Sequence, residues 1–214
     1  MFVLRKIYCR AFQLAFRAAL PFLPYRNPEI ISSDAEIPAV LRKHELQKVM
    51  IVTDAGIRKL GLTSFLEKTL EEEGIGYCIY DRTVANPTIW NVEEAKDLYL
   101  KEGAQALIAF GGGSSMDCAK AAGARIVKPR QSIRQMKGLL KVHKKLPLLI
   151  AIPTTAGTGS ETTLAAVITD SEKHYKYPIN DFSLIPRYAV LDYHETVGLP
   201  KSITATTGMD ALTH

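Results

Sequence analysis

Short apolar runs alternate with helical patterns along most of this chain, and this alternation is the strongest constraint on its fold. The apolar runs lie at residues 48–53, 77–80, 106–110, 148–152 and 188–191. Helical patterns separate them, at residues 57–73, 91–102 and 114–127. Short runs of this kind are typical of buried parallel strands. We therefore predict an α/β fold, a Rossmann-like parallel sheet with flanking helices.

Three consecutive glycines, residues 111–113, stand between the third apolar run and a helical pattern. Glycine lets the backbone approach a phosphate closely, and a helix N-terminus offers unpaired N–H groups. Ser114 is placed to cap this helix and to donate to a phosphate oxygen. The motif is neither GxGxxG nor GxxxxGK[ST], so neither the common Rossmann fingerprint nor a P-loop is indicated. The pattern favours a phosphate-binding turn over a turn that needs glycine for geometry alone.

A second loop, residues 153–161, follows the fourth apolar run and is rich in hydroxyl groups and glycine. We call it the threonine loop. Thr158 and Glu161 have the spacing of a capping box, which predicts that a helix begins there. The functional interpretation is that hydroxyls and backbone N–H groups hold a nucleotide. The loop lacks the GxSxG pattern, so Ser160 is not predicted to be a hydrolase nucleophile.

Asp54 directly follows the first apolar run, at the edge where parallel sheets bind their ligands. A carboxylate at this place accepts hydrogen bonds from a ribose diol and repels a 2′-phosphate. An aspartate that only caps a turn explains the local pattern equally well. The residue is thus a candidate for cofactor selection.

Asp210 and His214 are four residues apart, which places both on one face of a helix. They are half of the ligand set that a divalent metal needs, although such a pair can also be a surface hydrogen bond. Residues 200–214 are interpreted as the first helix of a helical metal-binding domain whose remainder is absent. Residues 1–199 are interpreted as an α/β dinucleotide-binding domain.

Charge and cysteine content disfavour several classes of protein. The net charge is +5, and the basic stretch at 128–145 lacks interleaved aromatics, so no nucleic-acid partner is predicted. The three cysteines form no CxxC pair, and a reducing cytoplasm is expected. Basic residues interrupt the apolar ones at 1–24, which predicts an amphipathic helix on the protein body or a partner subunit, with no membrane partner.

Three segments, residues 111–120, 152–161 and 207–214, have the order and spacing of the iron-containing (group III) alcohol dehydrogenase family. The chain resembles this family over nearly all of its length. The resemblance implies that the α/β domain binds NAD or NADP and that an all-helical domain holds most of the metal site. The implied metal is Fe²⁺, with Zn²⁺ in some members, bound by one Asp and three His. Asp210 and His214 match the first two ligand positions.

The resemblance also assigns cofactor contacts to individual residues. Asp54 matches the position that favours NAD, so NADP is the less favoured cofactor. The other matched positions are Asn86, Gly112, Gly113, Ser114, Asp117, Thr154, Thr155, Thr158 and Lys176. Ala165 departs from the asparagine that relatives often have there. Four histidines match no ligand position and are expected on the surface: His44, His143, His174 and His194.

The activity that the resemblance implies is hydride transfer between a small alcohol or aldehyde and NAD, aided by a metal that polarises the substrate oxygen. No catalytic residue is expected beyond the metal ligands, and the full-length protein is expected to be a homo-oligomer. These 214 residues alone are expected to be inactive, because two ligands do not hold a metal tightly. The alternatives are a glycerol dehydrogenase-like or dehydroquinate synthase-like member of the superfamily, or an inactive nucleotide-binding module.

Overall fold

The structure is a computed structural model, and it describes residues 2–19 and 22–213. The helices are α1 (Phe2–Ala19), α2 (Ile37–Lys43), α3 (Ala55–Lys59), α4 (Ser64–Glu72), α5 (Ile89–Glu102), α6 (Gly113–Val127), α7 (His194–Val197) and α8 (Lys201–Thr213). The strands are β1 (Glu29–Ile31), β2 (Lys48–Val52), β3 (Gly76–Tyr80), β4 (Ala106–Gly111), β5 (Gly138–Leu139), β6 (Leu148–Pro153), β7 (Ala165–Asp170), β8 (Tyr175–Asn180) and β9 (Tyr188–Val190). Short 3₁₀ helices lie at Asp34–Glu36, Ile133–Met136 and Phe182–Leu184.

Six strands form one parallel sheet in the order β1-β9-β6-β4-β2-β3. The five strands predicted from the apolar runs are all in it, and β1 is the sixth. Strand β4 is central, with Ala106 in register with Val49 on one side and Leu148 on the other. The predicted fold class is confirmed.

The central strands bury residues on both faces, because successive side chains of a strand point to opposite sides. Leu107 and Ala109 join one hydrophobic cluster, which includes residues of α5 and α6. Ile108 and Phe110 join the other, which includes residues of α2 and α4. Strands buried on both faces read as continuous apolar runs, which is why the sequence showed them clearly.

A second, three-stranded sheet in the order β5-β8-β7 was not predicted. Strands β7 and β8 are antiparallel neighbours, and β5 runs parallel to β8. Their burial alternates, with Ala166, Ile168, Tyr177 and Ile179 turned inward. This alternation is the normal pattern of a half-exposed sheet, so the sequence carried a signal for it.

Two predicted helices differ from the structure because glycines adopt left-handed backbone angles. The single helix predicted at 57–73 is two helices, since the chain turns between α3 and α4 where Gly61 has φ +70°. The helix predicted at Thr158 does not form. Gly159 has φ +58° there, and turns continue until β7 begins. Ser160 N–H donates to the Thr158 hydroxyl at 3.3 Å, which is a local turn.

The amphipathic helix predicted at 1–24 is present as α1 (Phe2–Ala19), and its described side chains are not buried against the protein body. Its side chains are exposed from Arg5 to Ala18, including Tyr8 at 71% and Leu14 at 72%. Among the described residues, no helix is both long and apolar enough to cross a bilayer. The four histidines predicted on the surface are exposed.

Helix α6 approaches the sheet so closely that Gly123 has no room for a side chain. A β-carbon there would lie 2.9 Å from Leu146 Cδ2 and 3.2 Å from Leu107 Cδ1. We expect Gly123→Val to lower the free energy of unfolding by about 1–3 kcal/mol through overpacking. Urea denaturation measures this change. Gly208→Ala is the control, since nothing lies within 4 Å of its position on α8. An equal loss in both variants would contradict the packing argument.

Candidate functional site

The two predicted ligand loops meet at the carboxyl edge of the parallel sheet. They leave the neighbouring strands β4 and β6 at the same level, where Gly111 is in register with Pro153. Thr154 is buried, and its N–H donates to the Gly111 carbonyl at 3.1 Å. Parallel α/β sheets bind ligands at this edge. The two loops are therefore neighbours at this edge of the sheet.

The first loop favours glycine because the second loop lies against it. A β-carbon on Gly112 would lie 3.3 Å from Thr155 Oγ1, and one on Gly113 would lie 3.1 Å from Thr158 Cγ2. Gly112 is the N-cap residue of α6, and the helix has no side-chain cap. The first N–H groups of this 15-residue helix thus keep their capacity to bind an anion.

Ser114 does not cap α6, which corrects the expectation from the sequence, because the helix begins one residue earlier at Gly113. Its hydroxyl accepts a hydrogen bond from Asn86 N–H at 3.2 Å. Asn86 has φ +59°, and its Oδ1 accepts from Lys176 Nζ at 2.7 Å. Three residues predicted to be near a cofactor, from distant parts of the sequence, are therefore linked.

Asp54 lies at the same edge, directly after β2. Its Oδ1 accepts hydrogen bonds from Gly56 N–H at 2.8 Å and Ile57 N–H at 3.0 Å, so it is the N-cap of α3. Ile57 Cδ1 would lie 2.9 Å from a β-carbon on Gly111, which places this turn beside the glycine loop. Capping and ribose binding are compatible, because the cap bonds use only Oδ1.

Lys120 anchors the second loop to α6, a role that the sequence alone did not predict. The side chain is fully buried, and Nζ lies 2.7–3.0 Å from the carbonyl oxygens of Ser160, Thr163 and Ala165. The hydroxyls of Ser160 and Thr163 are also within 3.3 Å. A single lysine within a helix that is rich in small apolar residues was the available signal.

Asp117 makes its contacts with protein groups around the same loop. Oδ1 accepts from the Ser160 hydroxyl at 3.1 Å, and Oδ2 accepts from Val167 N–H at 3.0 Å. Burial raises the pKa of Asp117, while the bonds from Val167 and Ser160 and the charge of Lys120 oppose this rise. Burial lowers the pKa of Lys120 to about 8, against the attraction of Asp117 and Glu161. Both groups position the loop.

Of the two predicted metal ligands, the structure describes only Asp210. Helix α8 passes Gly157 so closely that a β-carbon there would lie 2.6 Å from the Thr207 carbonyl oxygen and 3.2 Å from Asp210 Oδ2. The Asp210 carboxylate thus lies beside the threonine-rich loop, while His214 lies outside the described residues. Within the described ranges, no three His, Cys, Asp or Glu side chains come together as a metal site.

Comparison with known proteins gives consistent matches. The family model for iron-containing alcohol dehydrogenases matches residues 29–193. The chain is 41% identical over 180 residues to alcohol dehydrogenase 4 of Schizosaccharomyces pombe, a match that covers 84% of this chain and 42% of that protein. It is 38% identical over 179 residues to the NAD-dependent methanol dehydrogenase of Bacillus methanolicus, covering 84% and 47%. The chain spans less than half the length of these relatives.

The fold also matches solved structures. A 1,3-propanediol oxidoreductase structure superposes with a TM-score of 0.83 at 31% sequence identity. The match covers 89% of this chain and 50% of the solved chain. The α/β fold described above is therefore shared with this solved structure.

We expect Lys120→Met to destabilise the protein and to loosen the second loop, because three buried carbonyls lose their donor. The free energy of unfolding should fall by about 2–4 kcal/mol. Urea denaturation measures the loss, and hydrogen exchange should show faster exchange at Thr162 and Thr163, the loop amides that donate within the turn. Lys173→Gln, on an exposed turn, should be nearly neutral. A stable Lys120→Met variant with an unchanged loop would contradict the anchoring role.

Proposed function

Because the chain belongs to the iron-containing alcohol dehydrogenase family, we propose that it is the NAD-binding part of an enzyme that interconverts a small alcohol and its aldehyde. The observation that carries the proposal is the glycine-rich start of α6, which has no side-chain cap and faces the threonine loop. The names of the matched relatives favour this function over the glycerol dehydrogenase-like and dehydroquinate synthase-like alternatives.

The residues at this edge fit a dinucleotide. The uncapped N–H groups at Gly113 and Ser114 suit the diphosphate, and the absence of a β-carbon at Gly112 lets it approach the backbone. Thr155 and Thr158 border the same space with hydroxyl groups. Bound NAD supplies the hydride acceptor of the reaction. The protein groups bind and orient it.

Three other residues support binding of the remainder of the cofactor. Asp54 keeps one carboxylate oxygen for a ribose diol, because its cap bonds use only Oδ1. Lys176 donates to the Asn86 side chain, and Asn86 N–H donates to the Ser114 hydroxyl. These bonds fix the loop that carries Asn86 beside the start of α6 before a ligand binds. Asp117 acts on the site by fixing the threonine loop through Ser160.

The proposed metal is iron, with zinc as the alternative, and the described residues supply one candidate ligand, Asp210. Together with His214 this makes two, which is fewer than the four that a tight site needs. We propose that the other ligands lie in the region that corresponds to the unmatched part of the relatives. The 214 residues alone should then show negligible turnover. The helical domain from residue 200, the homo-oligomer and a cytoplasmic location stay predictions.

Gly113→Ala tests the phosphate-binding turn. The new β-carbon would lie 3.1 Å from Thr158 Cγ2 and would crowd the approach to the helix start. We expect the affinity for NAD⁺ to fall by about tenfold or more, equivalent to about 1.4 kcal/mol. Isothermal titration calorimetry measures this change, and circular dichroism checks the fold. Gly208→Ala should bind NAD⁺ like the unmodified chain. Unchanged affinity in a folded Gly113→Ala variant would overturn the proposal.

Asp54→Ser tests cofactor selection without removing the cap of α3, since serine is also a good N-cap residue. Loss of the carboxylate removes repulsion of a 2′-phosphate and one ribose contact. The ratio of NADPH to NADH affinity should therefore rise by about tenfold. Fluorescence titration with each reduced cofactor gives this ratio. Asp54→Asn, a second neutral cap, should shift it in the same direction. An unchanged ratio in both variants would remove Asp54 from the selection role.

A further inference from the structure

A basic cavity lies at the amino edge of the parallel sheet, opposite the glycine loop. It has a volume of about 780 Å³ and is lined by residues that directly precede β4, β6 and β9, among them Gln105, Pro147 and Arg187. This volume is in the range of small-molecule sites. Because these lining residues precede the strands, the cavity lies at the opposite edge of the sheet from the one proposed to bind NAD.

The charge of this cavity is strongly biased. Six of its lining residues are basic in type: Arg26, Arg187, Lys144, Lys145, His44 and His143. The one acidic residue in the lining is Asp181. The two arginines and two lysines form no ion pair within 4 Å with any described residue. Four cations thus surround the cavity without a paired anion.

Asp181 does not neutralise these charges at close range, because its carboxylate is occupied. Oδ2 accepts from Val142 N–H at 2.9 Å and His143 N–H at 3.1 Å. Oδ1 accepts from the hydroxyl and N–H of Ser183, at 2.7 and 3.0 Å. Its role is to fix the loop that carries His143 and the two lysines after it.

Arg26 is held in an arrangement that lacks a counter-charge. One terminal nitrogen donates to the Ile185 carbonyl at 2.6 Å, while Nε is buried without a hydrogen-bond partner. Burial, and next the charge of Arg187, lowers the pKa of Arg26. Arg26 and Arg187 line the same cavity, and the buried Nε of Arg26 leaves an unpaired donor that an anion in the cavity could satisfy.

We propose that this cavity is a binding site for a phosphate-bearing small molecule. Guanidinium groups bind phosphate oxygens through two parallel hydrogen bonds, and lysines add charge without fixed geometry. Arg26 and Arg187 hold the phosphate group, and Lys144 and Lys145 attract it. The site is independent of the NAD-binding edge, so its test does not depend on dehydrogenase activity.

Histidine imidazole NMR signals locate the binding of inorganic phosphate. His44 and His143 line the cavity, whereas His174 and His194 do not and serve as internal controls. At constant pH and ionic strength, sodium phosphate titrated against sodium chloride should shift the signals of His44 and His143 alone. Citrate at equal ionic strength should bind more weakly. Equal shifts with chloride, or tighter binding of citrate, would overturn the phosphate assignment.

Arg187→Gln separates a binding role from a structural one. We expect phosphate affinity to fall by about tenfold. The melting temperature without phosphate should be unchanged or higher, because a like-charge neighbour of Arg26 is removed. The rise in melting temperature that phosphate causes should shrink. Lys145→Gln should weaken binding in the same direction. The charge-matched control, Lys173→Gln, should retain wild-type affinity, and an equal loss there would show that only net charge matters.

Discussion

The buried ammonium group of Lys120 connects helix α6 to the loop that faces its N-terminus. Lysine is rarely buried without partners, and here the carbonyls of Ser160, Thr163 and Ala165 satisfy it. Asp117, one turn earlier, binds Ser160 from the same helix. The helix whose N-terminus is proposed to bind an anion therefore also fixes the loop whose hydroxyls face that N-terminus. The two ligand loops are thus connected through α6.

The two edges of the parallel sheet have different chemistry. The carboxyl edge relies on backbone N–H groups, glycines and hydroxyls around Gly113 and Thr158, which suits a ligand whose phosphates approach the main chain closely. The amino edge carries Arg26 and Arg187 without paired acids, which suits a ligand bound by charged side chains. A single sheet thus separates two proposed sites, one formed mainly by backbone groups and the other by charged side chains.

Helix α8 approaches the carboxyl edge at one point, where Gly157 lets the Thr207 carbonyl and the Asp210 carboxylate come near. A side chain at Gly157 would prevent this approach. The threonine loop therefore contacts α6 on one side and the helix of the proposed metal ligand on the other. The close approach of α8 thus explains a glycine at position 157 independently of the proposed nucleotide binding.

The sequence by itself determined the parallel sheet, because strands buried on both faces are continuous apolar runs between helical patterns. It also identified the glycine and threonine loops, since their residue types are chemically distinctive. The split at Gly61, the turn at Gly159 and the helix start at Gly113 depended on backbone angles and neighbours that spacing does not show. Only the tertiary structure brought Asn86, Ser114 and Lys176 together, gave Lys120 its acceptors and placed Arg26 and Arg187 around one cavity. These contacts join residues far apart in the chain, and local pattern carries no information about such pairings.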